Sequence, residues 1–138
     1  MSESESLSPG AVWIVKILFL DDMSARRSAF FNKFGFNEGQ QIFFAETAAH
    51  AIALLDNHIF DQVFLDHDLC IDDIMCPPGG PSKEPTGMAV VDHIVSMANP
   101  PAWVVVHTMN PPAAAAMEAK LKKIVKRVER IPFDLVIA

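Results

Sequence analysis

Acidic and histidine residues gather at three places where apolar runs end. Asp21-Asp22 follows Val15–Leu20, Asp66-His67-Asp68 follows Gln62–Leu65, and His107-Thr108-Met109-Asn110 closes the run that starts at Trp103. If these runs are neighbouring parallel strands, the clusters meet at the carboxyl edge of one sheet, where open α/β sheets carry their ligand sites. Asp21, Asp22, Asp66 and Asp68 then crowd into a single crevice. Carboxylates at such close quarters repel one another, which raises their pKa unless a cation neutralises them. Hard oxygen donors select Mg2+, Mn2+ or Ca2+. Asp66 and Asp68 are two residues apart, so strand geometry persisting through them puts both on one face and His67 on the other. By the same alternation His67 and His107 are expected to face one common side. The plainer use of such aspartates is to cap helices or line a solvated loop.

The elements that must position these groups are readable from hydrophobic periodicity. Val15–Leu20, apolar except for Lys16, suits a strand covered on both faces. A helix over Ser24–Phe34 follows, with Ala25, Ala29, Phe30 and Phe34 near 3.6-residue spacing and Gly35 as its stop. Gln41–Ala45 is the second strand, and Thr47 caps a second helix through Asn57. Gln62–Leu65 is the third strand. Thr86 caps a third helix reaching about Met97, Trp103–His107 is the fourth strand, and Asn110 before Pro111 opens a fourth helix ending near Lys123 or Ile124. Val125–Ile131 is the fifth strand. Strands alternating with helices imply parallel pairing through right-handed crossovers. The expected architecture is α/β, a three-layer doubly wound sheet of five parallel strands in the order 2-1-3-4-5.

Only Pro132 to Ala138 follow the fifth strand, too few residues for a sizeable closing helix. One face of the sheet is therefore expected to be short of cover. The apolar flank Ala11 to Val15, Trp13 in particular, or a second copy of the chain forming a homodimer, is expected to fill the gap.

Composition narrows the function classes. The 138 residues are 51% hydrophobic, too apolar for a disordered chain, and no apolar run approaches the roughly 18 residues of a membrane span. The expectation is one domain over residues 11–138 behind a flexible Ser- and Glu-rich tail, residues 1–10. The tail lacks the basic start and long apolar stretch of a secretory signal, so cytoplasmic residence is expected. Cys70 and Cys76 are then free thiols rather than a bridge. A net charge of −6 argues against broad nucleic-acid binding, which relies on Lys and Arg replacing counterions. Six of the eleven basic residues nevertheless fall between Lys120 and Arg130. That stretch is either a solvated helix face with an edge strand or a local phosphate-attracting patch.

Across nearly its whole length the chain resembles the receiver domains of two-component response regulators. Leu18-Phe19-Leu20-Asp21-Asp22 is similar to that family's acidic pair after strand one, and Phe60–Asp66 to the strand carrying its phosphoacceptor aspartate. Thr108 stands where the family keeps Ser or Thr. The resemblance implies Mg2+ held by Asp21, Asp22 and Asp66, with the backbone carbonyl of Asp68 beside them. It breaks after strand five, where Ile131-Pro132 replaces the family's Lys-Pro. Two histidines also appear beside the aspartate and the threonine.

These departures resemble a closer family, the cyclic-phosphate-processing receiver-like domains. Its acidic pair, Asp-His-Asp-Leu step and His-Ser/Thr-x-Asn step look like Asp21-Asp22, Asp66-His67-Asp68-Leu69 and His107-Thr108-Met109-Asn110. Thr86-Gly87 and Arg26 or Arg27 also fit its pattern. The resemblance implies hydrolysis or transfer of cyclic phosphate ends, on a small phosphate ester or the terminal cyclic phosphate of a nucleic acid.

In that chemistry His67 and His107 serve as general base and general acid, since an unperturbed imidazole titrates at about 6.5. Asp21, Asp22, Asp66 and Asp68 hold Mg2+ or Mn2+, which offsets charge on the phosphoryl oxygens. Asp66 and Thr108 complete the catalytic set, and Asn110, Arg26 and Thr86 bind substrate. Asn110 also has the simpler reading of a helix cap.

Two further readings stay open: a signalling receiver phosphorylated on Asp66, and a non-catalytic interaction module. The proline- and glycine-rich segment Cys70 to Pro85, with Asp72, Asp73 and Lys83, is either a lid or an ordinary insertion. His50, His58 and His93 are expected to be surface or structural residues.

Overall fold

The computed structural model describes residues 14–35, 37–69 and 86–138. The expectations for the Cys70 to Pro85 segment, with both cysteines, and for Trp13 fall outside the described residues.

The described chain runs β1 (Val15–Leu20), α1 (Ser24–Phe34), β2 (Gln40–Ala45), α2 (Ala48–Asn57), β3 (Gln62–Leu65), α3 (Gly87–Ser96), β4 (Trp103–Val106), α4 (Pro111–Leu121), β5 (Arg127–Arg130) and α5 (Phe133–Val136). The five strands form one parallel sheet in the order β2-β1-β3-β4-β5, as expected. Three helices start at the anticipated caps. Thr47 Oγ1 accepts from the His50 N–H at 3.1 Å, Thr86 Oγ1 from Met88 at 3.2 Å, and Asn110 Oδ1 from Ala113 at 3.2 Å. Each cap satisfies a first-turn N–H that has no partner within its own helix.

Several boundaries move. β4 stops at Val106 rather than His107, and α4 stops at Leu121, where the Lys122 N–H turns back to the carbonyls of Glu118 and Lys120. β5 is confined to Arg127–Arg130, with Val125 packed in the core ahead of it. Where no sizeable closing helix was expected, a single turn, α5, forms.

Strand alternation divides the core in two. Leu18, Leu20, Val63, Leu65, Val104 and Val106 face α2, α3 and α4. Ile17, Phe19, Phe64 and Val105 face α1 and α5, where Phe19 stacks on Phe30 with ring centroids 4.3 Å apart. On this second side a groove of about 340 Å3 remains, lined by Ile17, Phe34, Phe64, Trp103, Ile131 and Val136 among others. The α1 stripe differs from expectation: Ala25 is exposed, and the partly covered position one turn before Phe30 is Arg26.

Candidate functional site

β1 and β3 pair with Leu20 opposite Leu65, and β3 and β4 with Leu65 opposite Val106. Backbone bonding continues one residue further: Asp66 N–H to Leu20 O at 3.2 Å, Asp21 N–H to Ala45 O at 3.1 Å, and His107 N–H to Leu65 O at 2.9 Å. Asp21, Asp66 and His107 therefore leave the carboxyl edge side by side, in phase with Phe19, Phe64 and Val105 on the α1 face.

Asp21 is fully buried and Asp66 is 4% exposed. Together with the half-buried Asp22 they offer three carboxylate oxygens lying within 4.8 Å of one another. Burial, which disfavours the charged form, pushes the Asp21 carboxyl above the usual carboxylate range, against the opposing pull of the Met23 N–H and Arg26. Asp66 is pushed up to about 7, first by burial and then by the neighbouring Asp21, while bonds from Thr108 and the His67 N–H and the charge of Arg26 pull the other way.

The structure connects these groups to α1. Asp21 Oδ1 accepts from the Met23 N–H at 2.9 Å, in place of a side-chain cap from the residue that opens the helix. Arg27 Nη1 donates to the Asp21 carbonyl at 2.9 Å, and Arg27 Nη2 meets Glu46 at 3.1 Å. Arg26 Nη1 lies 3.5 Å from Asp21 Oδ2 and 3.8 Å from Asp66 Oδ2, with its guanidinium 5.4 Å from the centre of the Phe133 ring. The donor set suits a hard divalent ion: three carboxylates, two of them raised in pKa by burial, whose charged forms a bound cation would favour.

The two histidines do not share a side, and this corrects the expectation. The last backbone bond of the β3–β4 pairing, His107 N–H to Leu65 O, puts His107 beside Asp66, and His67 lies one residue beyond it. His107 is fully buried and lies flat on Phe19, with centroids 4.8 Å apart and 3° between planes. Its Nε2 bonds to the Leu20 carbonyl at 3.2 Å, and its Nδ1, 3.8 Å from Asp21 Oδ2, has no hydrogen-bond partner. Burial pulls its pKa down to about 3, so the ring is neutral at ordinary pH. His67 is near the surface, 21% exposed in its side chain, and its Nδ1 sits 2.7 Å from Asp68 Oδ1. With Nδ1–H donating to that carboxylate, Nε2 carries the ring's lone pair.

Asp68 also departs from expectation. β3 ends at Leu65, strand alternation does not persist, and the exposed Asp68 carboxylate engages His67 rather than joining the other three. Thr108 is 7% exposed; its hydroxyl is near enough to the Asp66 carboxylate to draw its pKa downward, and it accepts from the Asn110 N–H at 3.3 Å. Thr86 and Asn110 both act as helix caps.

Gly87 presses against the site from behind. Its N–H bonds to the His67 carbonyl at 2.9 Å, and a Cβ there would lie 1.8 Å from the Asp66 carbonyl oxygen. No side chain fits that approach.

Arg27 as a clamp on Asp21 was not anticipated. The available signal was the arginine pair itself, which puts Arg27 on the first turns of α1 six residues after Asp21.

Four of the six basic residues between Lys120 and Arg130 have acidic partners in the structure. Lys120 pairs with Asp92 at 2.8 Å, Lys122 and Arg130 with Glu118, and Arg127 with Glu129 while stacking 3.6 Å over Trp103. His58 packs against Phe43 and Phe60, and His93 bonds to Asp56 at 2.8 Å. These two line a groove of about 720 Å3 with Lys16 and Phe60, at the amino edge and away from the carboxylates. Among the described residues no helix is long and apolar enough to cross a membrane.

Comparison with known proteins agrees with this geometry. A family model described as the cyclic-phosphate processing receiver domain matches residues 16–123. No curated protein matches the sequence. Among solved structures, the response regulator domain of Thermotoga maritima CheB superposes with a TM-score of 0.64 at 15% identity, covering 90% of this chain and 88% of that one. The signal receiver domain of a putative Luxo repressor protein from Vibrio parahaemolyticus gives 0.62 at 19% identity, covering 89% and 84%. A CheY-like receiver domain from Methylobacillus flagellatus gives 0.60 at 13%, covering 89% and 92%. At these identities the likeness is one of fold.

Proposed function

The chain belongs to the family of cyclic-phosphate processing receiver domains, and from that premise we propose that it is a divalent-metal-dependent phosphoesterase acting on cyclic phosphate esters. The substrate is a small cyclic nucleotide or the cyclic phosphate end of a nucleic acid. The observation that carries this reading is the convergence of Asp21, Asp22 and Asp66 within 4.8 Å.

Asp21, Asp22 and Asp66 would hold Mg2+ or Mn2+, which supplies positive charge to the phosphoryl oxygens when bound. His67 is the proton acceptor. Its Nδ1–H is committed to Asp68, so Nε2 takes a proton from the attacking water as the new P–O bond forms. One ring P–O bond breaks, the leaving 2′ or 3′ oxygen collects a proton from solvent, and His67 returns its own. Water is thereby added across one ester bond.

His107, buried and neutral, is a positioning residue behind Asp21 rather than a general acid. Thr108 orients the Asp66 carboxylate, and Arg26 offers the guanidinium fork that suits phosphate.

Turnover of a 2′,3′-cyclic nucleotide in Mn2+ tests this reading. Asp66→Asn and His67→Ala should each reduce it by at least about a hundredfold, the usual weight of a general base. Absence of turnover in the wild type across 2′,3′- and 3′,5′-cyclic nucleotides and cyclic-ended RNA would reject it.

A second reading, phosphorylation of Asp66 as in a signalling receiver, is favoured by the Thr108 hydroxyl on Asp66 and by the shared fold. Against it, Ile131 packs with the second apolar cluster where receivers keep a lysine. A stable mass increase with acetyl phosphate and Mg2+, lost in Asp66→Asn, would favour this alternative.

A further inference from the structure

Two adjacent arginines on α1 are held in contrasting ways. Arg27 is fastened by a 2.9 Å bond to the Asp21 carbonyl and a 3.1 Å ion pair with Glu46. Arg26 is shared. A single Nη1 lies 3.5 Å from Asp21 Oδ2 and 3.8 Å from Asp66 Oδ2, both longer than the roughly 2.7–2.9 Å of a strong charge-assisted bond. Its side chain is 24% exposed, so it spans from solvent to two carboxylates that are almost entirely buried. Among the described residues it is the only arginine or lysine with an ion pair to either of those carboxylates.

We infer that Arg26 is an exchangeable counter-ion: it bridges Asp21 and Asp66 in the metal-free protein, yields those oxygens to a divalent cation, and then receives the substrate phosphate. This rests on the metal-binding part of the function proposed above. Guanidinium and metal compete for the same two carboxylates, and an arginine does not escape the competition by losing its proton. It has to move. The move is confined to the side chain, because the Arg26 N–H is held by the Met23 carbonyl at 3.1 Å on the first turn of α1.

Displaced from the carboxylates, the guanidinium is a planar fork of donors beside the metal site, the geometry that suits a phosphate. The order of binding follows. An anion meets a neutralised pocket and a free arginine only after the metal is in place, and by reciprocity phosphate tightens metal binding by the same factor.

The experiment is calorimetric titration of the full chain with Mn2+, with and without inorganic phosphate, in wild type, Arg26→Gln and Arg26→Lys. Arg26→Gln should bind Mn2+ alone about tenfold more tightly than wild type. Phosphate should tighten Mn2+ binding in wild type by at least about fivefold, the lower end of ordinary coupling. In Arg26→Gln that factor should fall below the wild-type value, with Arg26→Lys between the two.

Equal or weaker Mn2+ binding by Arg26→Gln, where wild type binds, overturns the competition and leaves the metal site standing. An unchanged phosphate factor overturns the transfer to substrate. Failure of both proteins to bind Mn2+ removes the metal reading as well. If Arg26→Gln does not fold, the wild type decides. The Arg26 Nε–H resonance should shift on Mg2+ saturation and again on adding phosphate, and a resonance indifferent to Mg2+ overturns the inference.

Discussion

The two sides of the sheet are built to different standards. On one side α2, α3 and α4 cover the strands with aliphatic residues, Leu18, Leu65, Val90, Ile94, Met117 and Leu121 among those buried there. On the other, α1 and the four-residue α5 cover the same strands with aromatic rings, Phe19, Phe30, Phe64 and Phe133, and leave a groove of about 340 Å3. The thick side is the larger of the two cores, and the thin side carries the acidic cluster. Asp21, Asp66 and His107 rise in phase with the thin side, where Arg26 from the one long helix can reach them. A full closing helix would add cover there. A single turn leaves Phe133 beneath the Arg26 guanidinium and Ile131 in the apolar cluster.

The sharpest way to break this contrast is at the point where the thick side presses on the site. Gly87→Ala sets a methyl group 1.8 Å from the Asp66 carbonyl oxygen, which is backbone and cannot swing away. We expect a loss of more than about 3 kcal/mol, at or beyond the upper range of ordinary overpacking, or no folding at all. Chemical denaturation measures it, and a Gly87→Ala protein of wild-type stability would show that α3 is not pinned there.

Next in size is a matched pair of truncations. Ile94→Ala on the thick side should cost roughly 2–5 kcal/mol, as buried aliphatic truncations do. Val136→Ala on the thin side, at a half-buried position beside the groove, should cost less than about 1 kcal/mol. Equal losses would erase the distinction between the sides.

The third test is a pH dependence measured without metal. Asp66 is pushed up to about 7 in the fold from its ordinary 3.8. The folded state therefore keeps a proton that the unfolded chain releases, and this contribution is full below about 4 and lost as pH rises toward 7. His107, pulled down to about 3, slopes the other way over part of that range. The clean readout is accordingly the difference between Asp66→Asn and wild type. It should move in favour of Asp66→Asn by up to roughly 1.4 kcal/mol per pH unit between about 4 and 7 and level off above. A flat difference would mean that Asp66 ionises freely in the fold.

The smallest effect expected is that of His107→Phe. A phenyl ring keeps the flat stack on Phe19, removes the unpaired Nδ1, and leaves the Leu20 carbonyl bonded to the Asp66 N–H. Stability should change by less than about 1 kcal/mol. A much larger loss would show that the imidazole does more in the fold than fill space behind Asp21.

The fold was legible in the sequence because β1, β3 and β4 are short apolar runs ended by polar clusters, and three of the four long helices among the described residues carry a side-chain cap. Boundaries slipped where the signal is tertiary. Val125 and Ile131 look like strand residues, yet one packs ahead of β5 and the other behind it. The acidic set was legible in membership, apart from Asp68, which left the cluster because the chain stops being a strand at Leu65. The side on which each histidine lies was not. Their order relative to Asp66 and Thr108 suggested a common face, and register across β3 and β4 placed them apart.

By itself the sequence determined the order of elements, the parallel sheet and the arrival of Asp21, Asp22 and Asp66 at one edge. Periodicity and capping are local properties, and parallel topology follows from their alternation. Only the tertiary structure decided that Asp21 and Asp66 are buried, that His107 is sealed in the core while His67 stays near solvent, and that Arg26 spans both carboxylates. Burial, register and the length of the last helix turn depend on contacts between residues distant in sequence, and those contacts set which groups hold charge and which can exchange it.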